Sequence, residues 1–125
     1  MIKILFISLF FSSLLFSDYI KWQNSYEETL LRAKAQNKDI LLLILKDNSE
    51  NSKKILVDIF AKEEIIRVVN KKYIPVAVFF ENKNSYPIEL FYTQIFPALF
   101  FISSKDELYL NEPIFDNFSW SQYKE

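Results

Sequence analysis

The sequence predicts an α/β fold, a three-layer α/β/α sandwich around a central mixed sheet of about four to five strands. Three observations carry this. Residues 40–45, 73–80 and 98–102 are short apolar runs rich in branched and aromatic side chains, the pattern of strands buried on both faces. The segments between them carry apolar residues at helical spacing or helix-start signals. Half of the 125 residues are hydrophobic and 18% are aromatic, so material for a packed core is ample and disorder is excluded.

The elements follow in order. Residues 18–24 form a lead-in carrying Trp22. Ser25 and Glu28 make a capping box that opens a helix through Gln36. Tyr26, Leu30 and Ala33, joined by Leu31, mark its inner face. Asn37, Lys38 and Asp39 end it, and residues 40–45 form the first buried strand. Residues 46–51 are polar cap formers, and a helix begins near Ser49 or Ser52 with Ile55, Leu56, Ile59 and Phe60 inward. Lys62, Glu63 and Glu64 open a further helical segment with Ile65, Ile66 and Val69 inward.

Residues 73–80 form the second strand. Pro75 has no N–H, so it belongs at a strand start or an unpaired position. After a polar loop at 81–85, Pro87 suits the first turn of a short helix over 88–93. Pro97 breaks the chain before the third strand, 98–102. Residues 103–107 turn, and 108–110 return as a fourth, antiparallel strand. The tail after Pro113 holds Phe115, Phe118, Trp120 and Tyr123 and has room for a short helix. Strands separated by helices imply parallel pairing through right-handed crossovers, with the terminal hairpin adding an antiparallel edge.

Residues 1–17 read as a separate object. One lysine, Lys3, precedes an apolar run at 4–16 interrupted only by serines. A helix of that length spans about 20 Å, short of the ~30 Å hydrocarbon core. This is the length of a signal peptide, with Leu15 and Ser17 at the −3 and −1 positions of a cleavage site. The expected location is periplasmic or secreted, and the alternative is an inner-membrane anchor made by residues 1–17. Residues 18–125 would then be one domain.

Composition excludes several functions. The formal charge is −1 with both signs interspersed, so there is no basic footprint for nucleic acid. The absence of glycine removes Gly-rich phosphate loops and leaves sharp turns to Asn, Asp and Ser. Neither cysteine nor histidine occurs, and no cluster of carboxylates suggests a metal. No cofactor is expected. An exported small domain normally uses disulfides, so this one must rely on its core.

Several segments in order give the chain a resemblance. Ala33, Lys34, Asn37 and Lys38 precede the first strand in an A-K-x-x-N-K pattern. Ser49-Glu50-Asn51-Ser52-Lys53 opens the next helix, and Phe60 precedes an acidic turn. Tyr73-Ile74-Pro75-Val76 and Phe96-Pro97-Ala98-Leu99 open two later strands. Over about residues 22–110 the chain resembles the thioredoxin-like superfamily, in particular exported members. The resemblance places Ser49 and Ser52 where that family has the cysteines of Cys-x-x-Cys. It implies a cis bond between Phe96 and Pro97, beside a groove in which Phe96, Pro97 and Ala98 meet an extended peptide through main-chain hydrogen bonds. Ala98 stands where a threonine often follows the proline.

Each candidate has a plainer reading. A serine nucleophile needs a base, normally histidine, and none exists. Asp47, Asn48, Ser49 and Ser52 are all good helix caps, and that reading is preferred. Pro97 either frames a peptide groove or only makes a turn. Phe79, Phe80, Phe91, Tyr92, Phe96, Phe100 and Phe101 could line a pocket but sit on or beside strands, which favours the core. The tail aromatics either dock on the sheet, the preferred reading, or form an exposed patch. Glu63, Glu64, Asp106 and Glu107 read as solvated turn residues. Asn117-Phe118-Ser119 is a glycosylation sequon too short to carry weight.

The expected function is binding of a protein or peptide partner by a redox-inactive thioredoxin-fold protein of the cell envelope. Only a thiolate attacks a disulfide sulfur, so a thiol–disulfide oxidoreductase with residual or altered activity is the weaker alternative. A structural subunit that dimerises through its aromatic tail is the third.

Overall fold

The computed structural model of the chain describes residues 19–116. The leader expected at 1–17 and the tail residues Phe118, Trp120 and Tyr123, with the sequon, lie outside the described residues. Helix α1, Tyr26–Gln36, starts at Ser25, whose side chain accepts from the Glu28 N–H. It ends at Asn37 in the left-handed conformation (φ 55°), a position that asparagine tolerates without the usual side-chain clash. Strand β1, Asp39–Leu45, follows, with Ile40 to Ile44 wholly buried. Helix α2 spans Glu50–Asp58 and α3 spans Glu63–Lys72. Both elements place Ile55, Ile65, Ile66 and Val69 inward as the spacing predicts, whereas Leu56 and Leu31 are exposed. Strand β2, Tyr73–Phe79, then runs parallel to β1 in register from Asp39↔Tyr73 to Leu45↔Phe79.

Pro75 lies inside β2, yet it costs no ladder bond. Its carbonyl accepts from Gln23 N–H, on the side of β2 away from β1. A strand residue's N–H and C=O point the same way, so the missing donor also faces that side.

The second half departs from expectation. Residues 88–93 form no helix. Leu90 and Phe91 N–H both bond the Pro87 carbonyl, closing one turn, and the chain then leaves the helical path. The Thr93 hydroxyl donates to the Ile95 carbonyl at 2.8 Å and accepts from the Ile95 N–H at 3.0 Å, a local alternative to helical bonding. Without a crossover helix the chain does not return to the start of β1. Strand β3, Ala98–Ile102, therefore pairs antiparallel with β1, from Ile40↔Ile102 to Ile44↔Ala98. The parallel arrangement inferred for this strand is corrected.

The fourth strand also moves. Residues 108–110 make only a bridge, Ile102↔Tyr109, while the regular pairing belongs to β4, Ile114–Phe115. Five residue steps from Tyr109 to Ile114 oppose three from Ile102 to Leu99, so two residues loop out beside Pro113. The sheet has four strands in the order β2-β1-β3-β4. Alternation along it separates two cores. Leu41, Leu43, Leu45, Leu99 and Phe101 face α2 and α3. Ile40, Leu42, Ile44 and Phe100 face α1 and the loop carrying Tyr86 and Phe91.

The turns work without glycine. Asn37, Asn48, Glu107 and Asp116 all have φ between 55° and 61°. Asn and Asp are the expected residues there, but Glu107 is not. Glu107 is half-buried and accepts the Tyr26 hydroxyl at 2.9 Å, so it is not the solvated turn residue read from the sequence.

Candidate functional site

The end of β1 delivers the chain to residues 46–52, where two serines are spent on backbone. Ser49 is the N-cap of α2, and its Oγ accepts from Ser52 N–H at 3.2 Å. Ser52 is buried at 3% exposure, and its Oγ accepts from Lys46 N–H at 3.1 Å. Each hydroxyl oxygen satisfies a donor that the strand-to-helix turn leaves open. With no histidine in the chain, nothing activates either oxygen as a nucleophile.

The approach to β3 lies against this turn. The Phe96–Pro97 peptide bond is cis, Phe96 is half-buried, and Pro97 and Ala98 are buried. Two bridges join it to the serine segment. The Lys46 ammonium, on the residue whose N–H meets Ser52, sits 5.7 Å from the Phe96 ring centroid. Asp116 makes the other: its N–H donates to the Pro97 carbonyl and its Oδ1 accepts from Asn51 Nδ2, both at 2.8 Å. The structure thus brings Ser49, Ser52, Phe96 and Pro97 together at one end of the sheet. Among the described residues, neither the N–H nor the C=O of Phe96 has a hydrogen-bond partner.

The aromatic residues split. Phe91, Phe100 and Phe101 are core, whereas Phe79 and Tyr92 are about half exposed. Phe80 and Phe96 are partly buried and pack ring on ring at 5.0 Å. A cleft of about 520 Å³ is lined by Asp47, Phe79, Glu81 and Asn82. Lys46, Asn51, Phe80 as a partner of Phe96, and Asp116 are site residues that sequence reasoning missed. Lys46 carried a signal, as the first residue past the buried strand. Asp116 carried none, because its role depends on the looped-out residues before it.

Three tyrosines on the α1 face have phenols held protonated. Burial pushes the Tyr26 pKa well above its ordinary value, with the Glu107 hydrogen bond and charge adding to it. Burial also raises Tyr86, helped by the Glu81 charge, and raises Tyr109. The Tyr86 hydroxyl is buried with no hydrogen-bond partner among the described residues. These groups lie in or against the core, and no group of three or more carboxylates converges among the described residues.

Comparison with known proteins agrees with this architecture. A family model described as thioredoxin-like matches residues 21–104. The chain belongs to the thioredoxin-like family. A thioredoxin from Thermus thermophilus is similar in structure, with a TM-score of 0.70 at 11% identity over 83% of this chain and 81% of that one. DsbH oxidoreductase gives 0.68 at 21% identity over 81% and 76%. At these identities the likeness shows the fold alone. An uncharacterised protein of Borreliella burgdorferi is 33% identical over 88 residues, which are 70% of this chain and 37% of the relative. The chain therefore spans little more than a third of the length of that curated relative. The chain holds no cysteine, so it has no Cys-x-x-Cys pair.

Proposed function

We propose that the protein is a redox-inert thioredoxin-like domain of the cell envelope that holds an extended segment of a protein partner beside Phe96 and Pro97. The observation that carries this reading is the main chain of Phe96, whose N–H and C=O are unpaired among the described residues. An extended peptide alongside it can supply one donor and one acceptor, the usual main-chain mode of peptide capture. Pro97 cannot take that part, since its carbonyl already accepts from Asp116 and proline has no N–H. The chemistry supports inertness: the chain offers no thiolate, and of the serines matched to the family's cysteines Ser49 caps α2 and Ser52 accepts from the Lys46 N–H. The leader-like residues 1–17 support the envelope location.

The test is peptide binding together with thiol exchange. Purified protein should bind a subset of an array of short extended peptides, and Phe96→Asp should abolish that binding. It should reduce insulin no faster than a cysteine-free control. Turnover above the control overturns inertness. An array with no bound peptide overturns the groove.

A further inference from the structure

The same groove has a chemical bias. Phe80 and Phe96 form a tilted ring pair just past the end of β2 and at the approach to β3. A lysine stands over each ring: the Lys46 ammonium is 5.7 Å from the Phe96 centroid, and the Lys83 ammonium is 5.7 Å from the Phe80 centroid. Both lysines are exposed. The Arg67–Glu63 ion pair lies far along α3, and neither Lys46 nor Lys83 has a carboxylate partner among the described residues.

Two carboxylates lie close in the chain, and both are turned elsewhere. Glu81 Oε1 accepts from Asp47 N–H at 3.1 Å, and Asp47 Oδ1 accepts from Asn48 N–H at 3.1 Å. Asp47 and Glu81 line the cleft with Phe79. Phe80 joins Val78 in the α1-side core and Phe79 points to the other face, so the aromatic wall of the cleft is separate from the ring pair, while the Glu81 charge is still felt at Tyr86 on the ring side. Glu27 and Glu107 line the cleft that Lys83 also lines, but neither pairs with it, so both ring-bound ammonium groups keep their charge unmatched among the described residues.

We propose that the Phe80–Phe96 pair takes an extended acidic peptide. One apolar side chain of the peptide lies on the rings, and flanking carboxylates meet Lys46 and Lys83. This rests on the peptide groove proposed above. A carboxylate gains an ion pair with each lysine at little reorganisation, because the rings already hold the ammonium groups at the platform. A basic peptide brings like charge to the same positions and is rejected.

The experiment compares two short peptides on the full chain by fluorescence anisotropy. One has a central phenylalanine flanked by aspartates, and the other has the same centre flanked by lysines. The acidic peptide should bind more tightly, and added salt should weaken it. Lys46→Glu and Lys83→Glu should each lower its affinity about five-fold and raise that of the basic peptide. Both positions are exposed, and unchanged thermal melting should show that the variants fold. Equal binding of both peptides, insensitive to either reversal, overturns the acidic preference and leaves the groove standing. If Phe96→Asp binds the acidic peptide as tightly as the unaltered chain, the peptide is held away from the ring pair, and the groove and the preference are both overturned. Binding of neither peptide by the unaltered chain overturns the groove and the preference together.

Discussion

Residues 20–80 and residues 81–116 build the same sheet by different means. In the first stretch, helices α1, α2 and α3 and strands β1 and β2 are regular, capped and in register. In the second, β3 and β4 are the only regular elements described, and aromatic rings do much of the holding. Phe91 lies within 5.3 to 6.0 Å of Tyr26, Phe100 and Tyr109. Phe100 reaches on to Tyr109 and Phe115. The Tyr109 hydroxyl bonds the Leu90 carbonyl. Local hydrogen bonding organises the first stretch, and long-range ring packing organises the second. A single ring should therefore matter more in the second stretch than any single cap in the first.

Phe91→Ala tests this most sharply. Phe91 is wholly buried and joins the loop, α1 and β3. Its truncation should cost about 3–5 kcal/mol, measured by urea denaturation. Native-state hydrogen exchange should show protection lost first over residues 81–116, with β1 and β2 exchanging later. Loss spread evenly over both stretches would break the comparison.

The division also explains what could be read from the sequence. The strands 40–45, 73–80 and 98–102 were legible as apolar runs, and α1 and α2 were legible from their caps, because those signals are local. The short helix at 88–93 was wrongly expected because Pro87 does open a turn. What cancels it is Thr93 bonding to Ile95, which competes with the next helical bonds. The direction of β3 was misread for the same reason, since parallel pairing needs the crossover that this loop does not make. In the site, Ser49 as the cap of α2 was legible, whereas Ser52 lies inside α2 and its hydroxyl serves the Lys46 N–H instead. The use of Asp116 was not legible, because it needs β4 displaced from 108–110 to Ile114–Phe115.

In the first stretch the hydroxyl with most at stake is that of Ser52, inside α2. Its Oγ is the acceptor for the Lys46 N–H at the end of β1. Ser52→Ala leaves that donor without a partner in a part-buried setting and should cost about 1–3 kcal/mol. Ser49→Ala removes a more exposed cap bond and should cost about 1 kcal/mol. If the two variants melt alike, the buried turn is not what fixes the start of α2.

The link between the stretches is Tyr26, on α1, to Glu107, in the hairpin turn. Folding raises the Tyr26 pKa through burial first and Glu107 second. The native state thus holds the phenol proton more tightly than the unfolded chain. Its contribution is complete below the unfolded tyrosine value, about pH 10, and drains away as pH climbs past it. Unfolding free energy measured from pH 8 to pH 11 should fall at the alkaline end, and Tyr26→Phe should flatten the fall. Tyr86 and Tyr73 are raised in the same direction, so some slope should survive the substitution.

The smallest effect expected is at Asn51, where the stretches touch across the candidate site. Its side-chain amide donates to Asp116, and both groups are exposed. Asn51→Ala should change stability by about 0.5 kcal/mol or less, as exposed polar contacts do. Its consequence should appear instead in the position of Asp116, which also bonds the Pro97 carbonyl. Released from Asn51, Asp116 is held by its backbone bond alone, and amide exchange at Asp116 should quicken while the melting temperature stays put. Equal exchange in both proteins would mean that β4 alone fixes Asp116, and that the second stretch needs nothing from the first to close this end of the sheet.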